Sequence, residues 1–104
     1  MNWLEMISIR TAGPAEAAKV LEFCRECCRS AAGALPGIVV YRSVRYETDV
    51  TIHLQWNADP GQRSRFGFEL ESALSGFGLI NHTYWIEDER SKAAPGKTVS
   101  NATG

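Results

Sequence analysis

Val50-Thr51-Ile52-His53-Leu54-Gln55-Trp56 is the stretch on which the fold turns. Strict alternation puts Val50, Ile52, Leu54 and Trp56 on one side of an extended chain and Thr51, His53 and Gln55 on the other, the period of a strand with one buried face. Asn57-Ala58-Asp59-Pro60-Gly61 ends it with residues that favour turns. Upstream, Glu47-Thr48-Asp49 reads as a hairpin turn, and Ile38–Tyr46, rich in Val and Tyr, as the strand it joins.

Outward from this hairpin the chain repeats itself. Leu4–Thr11 is a first strand, with Ile7 and Ile9 alternating with Ser8 and Arg10. Ala12-Gly13-Pro14 breaks it, and Pro14 suits the first turn of a helix, where its missing N–H costs nothing. No breaker follows until Gly33. Ala17, Leu21, Cys24, Cys28 and Ala31 recur at four-three spacing, with Val20, Phe23 and Cys27 as an adjoining stripe. Lys19, Glu22, Glu26 and Arg29 share the opposite face, so the segment to Ala32 is an amphipathic helix. Gly33 is its expected C-cap and Pro36-Gly37 the turn after it. On the far side, Ser64 caps a second helix to about Ser75, with Phe66, Leu70, Ala73, Leu74 and Phe77 as its apolar side and Gly76 or Gly78 as its stop. Ile80–Glu87 is the last strand: Ile80, His82, Tyr84 and Ile86 on one face, Asn81, Thr83 and Trp85 on the other.

The order is β-α-β-β-α-β, the ferredoxin-like α+β arrangement, with an antiparallel sheet in the order 4-1-3-2 and both helices on one face. One domain is expected over residues 1–90, and a tail without a core contribution over 91–104. The 104 residues carry a net charge of −1 and are 44% hydrophobic and 22% charged. That balance makes no electrostatic case for nucleic acid or an anionic membrane surface. No apolar run approaches the roughly 20 residues of a membrane span, and the N-terminus lacks a signal-peptide pattern, so the expected compartment is the cytoplasm. Cys24, Cys27 and Cys28 lie within one helical pattern. Without a second Cys or His cluster to complete four ligands, they read as packing residues and no metal is expected.

With Ile7, Ile9 and the Val50–Trp56 apolar set turned to the helices, the other sheet face carries Met6, Val39, Tyr41 and Trp85 beside Thr51, His53 and Gln55. So much apolar surface is more than a monomer leaves bare, and a two-fold dimer with the sheets facing each other is the economical cover.

The run Leu35-Pro36-Gly37-Ile38-Val39-Val40-Tyr41 and the strand Val50–Trp56 followed by Asn57, with the short second helix and the closing strand, resemble the dimeric α+β barrel proteins of the antibiotic-biosynthesis monooxygenase type over roughly residues 4–90. The resemblance implies a homodimer, a pocket between sheet and helices, and activities that include cofactor-independent oxygenation of quinols and phenols. A haem-degrading branch of that family carries an Asn on strand one, a His on the second helix and a Trp on strand three; only Trp56 is matched here. The implied function is a small-molecule-binding protein resembling cofactor-independent monooxygenases that oxidises a small aromatic or quinol. The alternative is a non-catalytic ligand-binding or assembly module working as a dimer. His82 and Tyr84 are the candidate catalytic residues, since an imidazole can take a phenol proton and leave an electron-rich phenolate. Trp56, Phe66 and Leu70 are the candidate substrate-binding residues. Trp56, His82 and Tyr84 are expected to border one cavity between sheet and helices.

Overall fold

The computed structural model describes residues 2–30 and 36–91. Four strands, β1 (Trp3–Thr11), β2 (Gly37–Arg42), β3 (Asp49–Trp56) and β4 (Gly78–Ile86), form one antiparallel sheet in the order β2-β3-β1-β4. Read from the other edge, this is the 4-1-3-2 order expected of the ferredoxin-like α+β fold. Helices α1 (Pro14–Ser30) and α2 (Arg65–Leu74) pack on one face of it. Short 3-10 turns at Ser75–Phe77 and Glu89–Ser91 complete the described chain.

The central strand β1 sets the register. Ile7 stands between Ile52 and His82, and Ile9 between Val50 and Ile80. Ile7, Ile9, Ile52 and Leu54 bury their side chains against Ala17, Val20 and Cys24 of α1 and Leu70 and Leu74 of α2. At about 1.5–3 kcal/mol for each large side chain taken out of water, this helix–sheet layer is the main source of stability.

The elements differ from the sequence expectation in four places. The seam of α1 runs through Ala17, Val20 and Cys24; Leu21, Cys27 and Cys28 flank it half-buried, and Phe23 is 39% exposed. A 100° step per residue makes either stripe amphipathic, and packing against β1 and β3 selects between them. On α2 the buried positions are Gly67, Leu70 and Leu74 while Ala73 is exposed, because Gly67 is turned to the sheet. Strand β2 stops at Arg42: Ser43 Oγ accepts the N–H groups of Arg45 and Tyr46, turning the chain earlier than Val and Tyr propensity suggests. Strand β4 begins at Gly78, whose backbone runs so close to β1 that a β-carbon there would lie 2.1 Å from the carbonyl oxygen of Arg10.

Ala31, the Gly33 cap and the Leu35 start of the family-like run lie outside the described residues, as do residues 92–104 of the expected tail. No helix of the described residues is long and apolar enough to cross a membrane. Among the described residues no cluster of His, Cys, Asp and Glu could hold a metal ion.

Candidate functional site

Strand β1 alternates Trp3, Glu5, Ile7, Ile9 and Thr11 toward the helices, so a carboxylate occupies a core-facing position. Glu5 is fully buried. Isolated, a buried carboxylate would be costly; here both of its oxygens are satisfied. Oε1 accepts the indole N–H of Trp56 at 3.0 Å and the hydroxyl of Ser64 at 2.7 Å. Oε2 accepts the backbone N–H of Ser64 at 2.9 Å and faces Nε2 of His82 at 2.8 Å.

Each partner is placed by its own element. Glu5 pairs with Leu54 on β3 and Tyr84 on β4, so Trp56 and His82, two residues along those strands, lie diagonally beside it on the same face. Ser64 is the N-cap of α2: its Oγ accepts the N–H of Gly67 at 2.9 Å while its own proton goes to Glu5. The carboxylate therefore sits at the positive end of the helix dipole. Burial pushes the Glu5 carboxyl up, but the hydrogen bonds from Ser64, His82 and Trp56 outweigh it and hold the group below the usual carboxylate range.

The other ring nitrogen of His82, Nδ1, lies 2.9 Å from Oε1 of Glu71 on α2, and that same oxygen is 3.4 Å from Nε of Arg63. The imidazole is thus held between two carboxylates, one buried and one partly exposed, with side-chain exposures of 0% and 28%. A neutral imidazole carries one N–H and could satisfy only one of them. Both contacts are hydrogen bonds only when two protons are shared among the imidazole and the two carboxyls. The unit is anchored at its buried end by Glu5 and reaches the partly exposed Glu71 at the other.

His82 and Tyr84 line a cleft of about 440 Å³ with Gln62 and Arg63. The Tyr84 hydroxyl donates to Asp59, and its ring stacks on Trp3 at 5.9 Å between centroids. The hydrogen bond to Asp59, with burial adding to it, pushes the phenol up to about 12. Trp56 does not line this cleft; it reaches His82 only through Glu5 and opens instead on a separate cleft at the end of the sheet. Phe66 borders a third, of about 320 Å³, with Phe23 and Cys27, and Leu70 is 5% exposed within the core. The candidate substrate-binding residues therefore do not line one cleft: Trp56 and Phe66 border separate ones, and Leu70 lies in the core against which both pack.

Sequence reasoning missed Glu5, Ser64 as a ligand of Glu5, Glu71 and Arg63. The signal for Glu5 was present: it is in phase with Ile7 and Ile9, and a charged residue at a core-facing strand position implies partners.

No protein-family sequence model matches the chain, and no curated protein matches it by sequence. The fold has clear relatives. A monooxygenase of the ActVA-Orf6 gene of Streptomyces coelicolor, solved with nanaomycin D, superposes with a TM-score of 0.65 at 21% identity over 91% of this chain and 93% of that one. A point mutant of SnoaB of Streptomyces nogalater, a cofactor-independent oxygenase, gives 0.60 at 13% identity over 90% and 97%. A Deinococcus radiodurans protein provisionally described as an antibiotic biosynthesis monooxygenase gives 0.63 at 12% identity over 90% and 99%. The chain has the fold of the antibiotic-biosynthesis monooxygenase-like proteins, and at these identities the likeness is one of fold.

Proposed function

We propose that this chain is a small-molecule-binding protein that oxidises a small aromatic or quinol without a bound cofactor, working from the cleft beside His82. The observation that carries the reading is the Glu5–His82–Glu71 unit, an oriented imidazole with a buried carboxylate behind it and a displaceable one in front. The description of the Streptomyces nogalater neighbour as a cofactor-independent oxygenase supports the reaction class.

Glu5, held by Ser64 and Trp56, keeps the Nε2 proton of His82 pointing inward, as a buried carboxylate orients the base in other general-base pairs. When Glu71 shifts toward Arg63, its second partner, and takes with it the proton shared with Nδ1, that nitrogen presents a lone pair to the cleft. A phenolic substrate gives its proton to Nδ1, and the phenolate that remains is the electron donor to oxygen. The reaction balances with O2 alone: one oxygen atom becomes the new ring carbonyl, and the other leaves as water with the displaced ring hydrogen and the phenolic proton. Tyr84, pinned by Asp59, borders the cleft as a rigid aromatic wall.

The protein works as a homodimer in this reading. Met6 of β1 and Val39 of β2 flank His53 of β3 on the face away from the helices, where Tyr41 is 48% and Leu79 78% exposed. The free cysteines suit the reducing cytoplasm. The burial of Leu70 in the helix–sheet core favours a second reading, a ligand-binding or assembly module in which the dimer is the working part.

Oxygen uptake with 1-naphthol, with 1,4-naphthoquinone as the expected product, tests the first reading. Turnover by the parent protein that falls at least 100-fold in a folded His82→Gln variant supports it. No turnover above the uncatalysed rate, or turnover unchanged in that variant, overturns it in favour of the module.

A further inference from the structure

All three tryptophans of the chain line one cleft, of about 460 Å³, across the end of the sheet where β1 begins and β3 and β4 finish. Trp3 stands between Trp56 and Ile86, and its neighbour Leu4 lies between Gln55 and Trp85. We propose that this cleft is a second binding site, distinct from the one beside His82, for an uncharged fused-ring aromatic molecule.

Three observations identify the occupant. The first is that the indole N–H groups of two of the rings are already used. Trp56 donates to Glu5 at 3.0 Å and Trp85 to Thr83 Oγ1 at 2.9 Å. These rings therefore offer the cleft carbon surface and π faces without a donor to satisfy, which suits a stacked guest rather than a hydrogen-bonded one. The second is exposure: Trp85 is 53% and Ile86 49% exposed, one on each face of the sheet at the rim of the cleft, so both sides of its mouth are apolar and open. The third is charge. Among the described residues no Lys or Arg lines the cleft, and the one ionisable side chain is Glu87, which accepts the Asn2 amide at 2.9 Å. A negatively charged ring is repelled there and an uncharged one is not. The volume falls within the range of about 300–1,000 Å³ usual for small-molecule sites.

The cleft's own reporter is the indole N–H of Trp85, since Trp3 stacks on Tyr84 and Trp56 donates to Glu5, both tied to the cleft beside His82. Under argon, where no oxidation occurs, 2-naphthol titrated into 15N-labelled protein is expected to shift the indole N–H signals saturably. 2-Naphthalenesulfonate and 1-hexanol at equal concentration are expected to leave them in place. Trp85→Ala should weaken binding at least tenfold while the amide spectrum stays folded, and Trp85→Leu, which keeps bulk but not flatness, should weaken it comparably. Static indole signals overturn the proposal, as do equal shifts with the anion or the alcohol, or unchanged binding by both Trp85 variants. Indole signals that move on protein dilution without any probe also overturn it, because a second copy then fills the cleft. His82→Gln separates this site from the proposed reaction: it should abolish oxidation and leave the Trp85 shift intact.

Discussion

A β-carbon placed on Gly67 would lie 2.2 Å from Oε2 of Glu5. The first turn of α2 and the middle of β1 thus touch with no room for a methyl group, and the absence of a side chain at residue 67 is what lets the N-terminus of a helix reach a buried carboxylate.

Gly67→Ala should therefore destabilise the protein. In an exposed helix the same change gains about 1 kcal/mol. Here the methyl group meets a carboxylate that cannot retreat without losing its bonds to Ser64 and His82, and overpacking of this kind costs roughly 1–3 kcal/mol. Urea denaturation reads the sign directly, and a stabilised variant would mean that Glu5 is free to move.

Glu5→Gln keeps the size and removes the charge. Its amide NH2 must face donors from either Ser64 and Trp56 or Ser64 and His82, so a loss of about 3 kcal/mol is expected. The parent protein should also show a pH signature. The Glu5 carboxyl lies below its ordinary value when folded, so its contribution is complete above the usual carboxylate range and is lost as pH falls through the native value. Stability of the parent should drop on acidification below about pH 4.5, and the variant should show a shallower drop. Parallel curves would place the acid sensitivity elsewhere, for instance at the exposed Arg10–Asp49 pair, which also lowers its carboxyl.

Tyr84 should ionise well above the ordinary phenol value. Ultraviolet titration of the phenolates is expected to show one group near 12, returning toward about 10 in Asp59→Asn, where the acceptor loses its charge. Because the folded value is the higher one, the stabilising contribution of this bond is whole below about pH 10 and fades as pH rises through 12. Coincident titration of all three tyrosines would show that the Asp59 contact does not persist in solution.

The cysteines should fall into two classes. Cys24 is 1% exposed and burial pushes its thiol up to about 12; a thiol reagent should not modify it before unfolding. Cys27 and Cys28 are both half-buried, and slow native labelling is expected at each. Rapid labelling of Cys24 would show that α1 opens from the sheet.

Light scattering at micromolar concentration should give twice the 11.5 kDa chain mass. Val39→Arg, on the edge strand β2 of the sheet face away from the helices, should return the protein to 11.5 kDa while preserving its circular dichroism. A parent protein that already scatters as a monomer removes the dimer from the functional reading.

Much of this architecture was open to inspection in the linear chain. The order of elements, the Ser64 cap, and the common face of Trp56, His82 and Tyr84 follow from periodicity and turn chemistry, which are local properties repeated every two or four residues. The stripe of α1 that meets the sheet does not, because Ala17–Val20–Cys24 and Ala17–Leu21–Cys24–Cys28 are equally amphipathic in isolation. The site itself was not legible either. Glu5 becomes a buried, ionised anchor through Trp56, Ser64 and His82, which are 51, 59 and 77 residues further along the chain. A carboxylate's burial is tolerable only when such distant donors arrive together. Sequence spacing carries the alternation that turns Glu5 inward; only the packing of β1, β3, β4 and α2 around it decides that the charge is met there and set against His82.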